Sequence, residues 1–77
     1  MNNALTPELL RSLVLAAIPD ADVHVRLYAG DDHFEMEVAS QAFAGKSRVT
    51  QHQIVYAALG DHMRQAIHAL ALTTRII

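Results

Sequence analysis

Phe43-Ala44-Gly45-Lys46-Ser47-Arg48-Val49-Thr50-Gln51-His52-Gln53-Ile54-Val55-Tyr56-Ala57-Ala58-Leu59, followed after a spacer by Ile67-His68-Ala69-Leu70-Ala71-Leu72, is the stretch on which the fold turns. Ser47 suits the cap of a helix over Arg48 to Leu59, and Gly60 suits its close. Val49, His52, Val55, Tyr56 and Leu59 fall along one stripe of that helix. Asp61 to Ala66 reads as a short helical turn, and Ile67 to Thr74 as a strand opening near His68.

Upstream, the residues alternate with period two. Val23, Val25 and Leu27 point one way and Asp22, His24, Arg26 and Tyr28 the other; Phe34, Met36 and Val38 then alternate with His33, Glu35 and Glu37. These are two strands joined by Ala29-Gly30-Asp31-Asp32, a link short enough for a hairpin. Pairing Tyr28 with His33 sets Leu27 opposite Phe34 and Val25 opposite Met36. The same register sets Arg26 opposite Glu35 and His24 opposite Glu37, so charge and hydrophobicity select one pairing. Further upstream, Thr6 caps and Pro7 opens a helix whose apolar face is Leu9, Leu10, Leu13, Val14 and Ala17, with Leu5 stapling against Leu10. Pro19-Asp20 ends it.

A helical connection between the second and third strands predicts a parallel, right-handed crossover. Both strands then begin at the same end of the sheet, which brings His33 and His68 near one another. Parity complicates this: His33 alternates away from Phe34, whereas His68 shares parity with Leu70 and Leu72, so regular strands send the two side chains to opposite faces. The geometry of the strand ends has to resolve it.

The 77 residues make a single domain, 1–77, in which about 60% of the unfolded chain's surface is buried on folding. With no cysteine, the chain has neither a disulfide nor a thiolate of its own for a metal. No apolar run approaches the roughly 18 residues of a membrane span, and Met1-Asn2-Asn3 lacks the basic residues of a signal peptide. A soluble, cytoplasmic protein with no membrane association is expected. Net charge is −2 but uneven: residues 43–66 hold Lys46, Arg48 and Arg64 against Asp61 alone. A specific duplex binder neutralises about six to ten phosphates, so three cations are a thin basis for nucleic acid.

The Gly45, Ser47-Arg48-Val49, Val55-Tyr56 and His68-Ala69-Leu70 signature, at this spacing and in this order of elements, resembles the BolA family over essentially the whole chain. The resemblance implies a class II KH-like α/β (α+β) domain in α-β-β-α-β order, with a three-stranded mixed sheet and helices on one face. It also implies a non-enzymatic adaptor that pairs with a monothiol glutaredoxin to hold a 2Fe-2S cluster in iron–sulfur trafficking or iron-responsive regulation. His68 matches the family's cluster-ligating histidine. His33 matches a loop position held by histidine in one branch and cysteine in another. The other iron would take the glutaredoxin cysteine and a glutathione thiol. Two imidazoles on one iron resemble the Rieske arrangement and raise the potential. Ligation needs neutral imidazole, so binding should weaken as pH falls through the ordinary histidine value of about 6.5.

Family members are also described as DNA-binding transcriptional regulators. On that reading Lys46, Arg48, Gln51 and Gln53 face nucleic acid, and Arg and Gln are side chains able to read base edges bidentately. Gln51-His52 replaces the Arg-His common in the family, which lowers the helix's basic charge. RNA binding in the KH manner needs a G-x-x-G clamp, and only Gly45 is present. Gly45-Lys46-Ser47 resembles the end of a P-loop, but Ser40 stands where the first glycine belongs. No nucleophile–base pair or carboxylate dyad indicates an enzyme. Ending shortly after its third strand, the chain would lack the C-terminal helix of many relatives, and a monomer or weak homodimer is expected.

Overall fold

A computed structural model describes residues 5–30, 33–65 and 69–77. The order is α1 (Pro7–Ala17), β1 (Asp22–Ala29), β2 (His33–Ala39), a 3-10 turn (Gln41–Phe43), α2 (Arg48–Leu59), α3 (His62–Gln65) and β3 (Ala69–Arg75). The sheet runs β1-β2-β3, with β1 antiparallel and β3 parallel to β2. This is the expected mixed α+β architecture, including the parallel crossover. Asp31 and Asp32 of the hairpin link, and Ala66, Ile67 and His68 of the predicted turn and third strand, lie outside the described residues.

Both long helices start where their caps predict. Thr6 Oγ1 accepts from Leu9 N–H at 3.1 Å, and Ser47 Oγ accepts from Thr50 N–H at 3.2 Å, each satisfying a backbone donor that the first helical turn leaves open. α2 ends at Gly60, whose φ of 61° and ψ of −137° favour glycine. The helices cover one face of the sheet. Leu10 and Val14 of α1 and Val55 and Leu59 of α2 pack with Val23, Phe34, Met36 and Val38 in a single core that also takes in Leu5 and Phe43. Leu70 and Leu72 lie against it from β3. Among the described residues no helix is long and apolar enough to cross a membrane.

Three expectations need correction. The hairpin register holds from Asp22↔Ala39 to Leu27↔Phe34, but the next rung is Ala29↔His33 rather than Tyr28 with His33. Tyr28 is the extra residue of a β-bulge, and Gly30 at φ 59° takes the chain into the turn. On α2 the buried residues are Gln51, Val55 and Leu59, with Ile54 and Ala58 against the core, while Val49 is 67% exposed. The helix is thus rotated from the expected stripe, because Gln51 finds polar partners inside. On α1, Leu9 and Ala17 face outward, and Leu10, Leu13 and Val14 carry the packing.

Candidate functional site

His33 opens β2 and is half-buried. Its parallel register partner is Ala69, the residue that follows His68 in the chain. The starts of β2 and β3 therefore meet at one end of the sheet, as the crossover argument requires. His68 itself lies outside the described residues. The alternation of β2 puts Phe34, Met36 and Val38 in the core and His33 with Glu35 and Glu37 on the open face. Tyr28 meets His33 there: the ring centroids are 6.0 Å apart and the planes 79° from parallel, an edge-to-face contact.

Along the open face the charges are matched in pairs. Arg26 Nε donates to Glu35 Oε1, and this bond, followed by the carboxylate's charge, raises the guanidinium's pKa further. Arg75 Nε lies 3.6 Å from Glu37 Oε2, and His24 Nε2 lies 3.2 Å from Asp22 Oδ1. His24 stands opposite Glu37 in the ladder, as expected, but its carboxylate contact runs along its own strand. A shallow groove of about 370 Å³ crosses this face between the charged rows of β1 and β2 and the small side chains Ala71 and Thr73 of β3.

The opposite end of the sheet is built differently. β2 runs six residue steps from His33 to Ala39, about 20 Å at a strand's rise, before the chain reaches the loop that carries Lys46. Ser40 is fully buried there. Its hydroxyl donates to Asp20 Oδ1 at 2.7 Å and accepts from Ala42 N–H at 2.9 Å, while Gln41 N–H donates to Asp20 Oδ2 at 3.1 Å. The Ser40 hydroxyl, and then the Gln41 N–H, hold the Asp20 carboxyl below its usual value. Gln51 is 9% exposed. Its amide nitrogen donates to the Lys46 carbonyl at 2.9 Å and the Phe43 carbonyl at 3.4 Å, and its oxygen accepts from Thr74 Oγ1 at 2.7 Å.

Of the four residues proposed to face nucleic acid, Lys46, Arg48 and Gln53 are exposed and Gln51 is not. An amide committed to two carbonyls and a hydroxyl inside the protein has no edge left to read a base, so Gln51 leaves that set. His52 packs edge-to-face on Tyr56 at 6.2 Å within α2. The two candidate regions therefore lie at opposite ends of the sheet.

No group of three or more His, Cys, Asp or Glu among the described residues could hold a metal ion. A metal centre at the His33 end would need donors from beyond this set. A half-buried imidazole at the rim of the sheet, in a chain without cysteine, fits a partial donor to a shared centre.

A BolA profile, described as BolA-like protein, matches residues 2–76. The chain belongs to the BolA family. It is 32% identical over 74 residues to the DNA-binding transcriptional regulator BolA of Vibrio cholerae, which covers 96% of this chain and 65% of that protein. It is 41% identical over 54 residues to SufE-like protein 1 of Arabidopsis thaliana, covering 66% of this chain and 15% of that protein. It therefore spans less than two thirds of the length of either curated relative. A BolA protein homologue from Coxiella burnetii has the same fold, with a TM-score of 0.78 at 32% identity over 94% of this chain and 91% of that one.

Within this BolA-family fold, two features escaped the sequence. Tyr28 against His33 depends on the bulge, and its only signal was an aromatic residue at the hairpin's end. Gln51 as an interior hub had no signal, since a glutamine on an amphipathic helix reads as solvent-facing.

Proposed function

We propose that this BolA-family protein is a non-enzymatic adaptor that pairs with a monothiol glutaredoxin and shares a 2Fe-2S cluster with it. His33 and His68 would hold one iron, and the partner's cysteine and a glutathione thiol the other. Histidine ligation would place the cluster at a higher potential than four thiolates do. The protein's own contribution would be His33, at the start of β2, together with His68, the residue that precedes β3 in the sequence. The observation that carries this reading is the β2–β3 register, which sets His33 opposite the residue next to His68. The reading sets the protein in the cytoplasm, in cluster trafficking or iron-responsive regulation, and takes the chain alone to be a monomer or weak homodimer.

Coexpression with a monothiol glutaredoxin tests it. A coloured heterodimer should form that requires iron, sulfide and glutathione. A colourless complex, or no complex, overturns the reading.

DNA binding is the second reading, favoured by the name of the Vibrio relative and by the exposed Lys46 and Arg48. With two such cations the logarithm of affinity should fall with that of salt at a slope of about −2, far shallower than for a dedicated duplex binder. A steeper slope abolished by Lys46→Ala and Arg48→Ala together would make DNA the principal partner.

A further inference from the structure

The β1–β2 ladder is regular until its last rung, and the irregularity falls beside His33. Leu27 pairs with Phe34 and Ala29 with His33, so Tyr28 has no partner across the ladder. A bulge of this kind bends the strand and re-aims the side chain of the extra residue. Tyr28 remains 47% exposed, so core packing does not account for a large aromatic residue at this place. Its ring instead stands edge-to-face with the His33 imidazole at 6.0 Å.

We propose that Tyr28 is a positioning residue for His33: the bulge turns its ring into a wall that restricts the imidazole's torsions and presets its direction. The inference rests on the proposed role of His33 as a ligand. Fixing a side-chain rotamer on binding costs entropy. A ring contact that narrows the choice of rotamers beforehand lowers that cost. Hydrogen-bonded partners that orient a metal ligand typically change metal affinity about ten- to a hundredfold when removed, and a ring contact belongs at the low end of that range. The contact is made by the ring, so the phenolic hydroxyl is dispensable. This sets the role apart from a hydrogen-bonding tyrosine.

The test uses Tyr28→Phe and Tyr28→Leu, both at an exposed position. In the isolated chain, NMR should show one dominant His33 side-chain rotamer in the wild type and in Tyr28→Phe, and a broader rotamer distribution in Tyr28→Leu. In the glutaredoxin complex, cluster loss to a chelator should be about tenfold faster for Tyr28→Leu and unchanged for Tyr28→Phe. Unchanged His33 rotamers or unchanged cluster loss in Tyr28→Leu overturns the proposal, as does equal impairment in Tyr28→Phe. His33→Ala separates the levels. If it speeds cluster loss and Tyr28→Leu does not, His33 stands as a ligand and only the positioning role fails. If His33→Ala has no effect, the ligand role fails and the inference falls with it.

Discussion

Gln51→Leu removes a buried amide while nearly keeping its volume, so the loss is one of hydrogen bonds rather than packing. Two of the three bonds are well formed, at 2.9 Å to the Lys46 carbonyl and 2.7 Å from the Thr74 hydroxyl, and each contributes about 1 kcal/mol net. The third, at 3.4 Å to the Phe43 carbonyl, lies near the limit of a hydrogen bond and adds little. Stranding the Thr74 hydroxyl beside a leucine adds part of a desolvation penalty, for a total of about 2–3 kcal/mol. In a chain of this length that lowers the melting temperature by about 8–24 °C. Urea denaturation of Gln51→Leu, Thr74→Val and the double variant measures it as a cycle. Because the two side chains share one bond, the double variant should be less destabilised than the sum of the single ones by about 1 kcal/mol. A Gln51→Leu cost within about 0.5 kcal/mol of zero would mean that these bonds do not hold the fold, since that is how a surface glutamine behaves.

Asp20→Asn should flatten the acid limb of the stability curve. The Asp20 carboxyl is held below its usual 3.8 by Ser40 and Gln41, so between the folded and unfolded values the unfolded chain binds more protons. The stability this group contributes is present above about pH 3.8 and is lost as pH falls through its folded value; urea titrations from pH 5 downward should show that slope in the wild type and not in the variant. Gly60→Ala should cost about 1–3 kcal/mol in a thermal melt, all of it backbone strain. An added Cβ there meets nothing within 4 Å, and a neutral result would mean that the α2 terminus relaxes.

The elements were legible wherever a local signal and a period agreed. Ser47 and Gly60 bracket α2 at Arg48–Leu59, and the Arg26–Glu35 and Val25–Met36 pairs locate the hairpin ladder. At the last rung those signals run out. Tyr28 and Ala29 are equally acceptable opposite His33, and the turn around Gly30 decides between them. The α2 face differs from its sequence pattern for another reason. Val49 and Tyr56 on one side and Ile54 on the other make the apolar pattern ambiguous, and what settles the rotation is a glutamine satisfied by two loop carbonyls and a threonine 23 residues away. A buried polar residue is readable only once its partners are placed. At the candidate site, the meeting of the two strand starts followed from crossover topology, whereas the aromatic wall on His33 followed from a bulge.

On the proposed function, His33 and His68 of this chain ligate a shared cluster. The most direct test labels this chain alone with 15N-histidine, forms the complex with unlabelled glutaredoxin, and records the nitrogen couplings of the reduced cluster by pulsed electron paramagnetic resonance. Two labelled histidine nitrogens should couple directly to the cluster, with one lost in His33→Ala and the other in His68→Ala. A reduced cluster that couples to no labelled nitrogen would contradict the account.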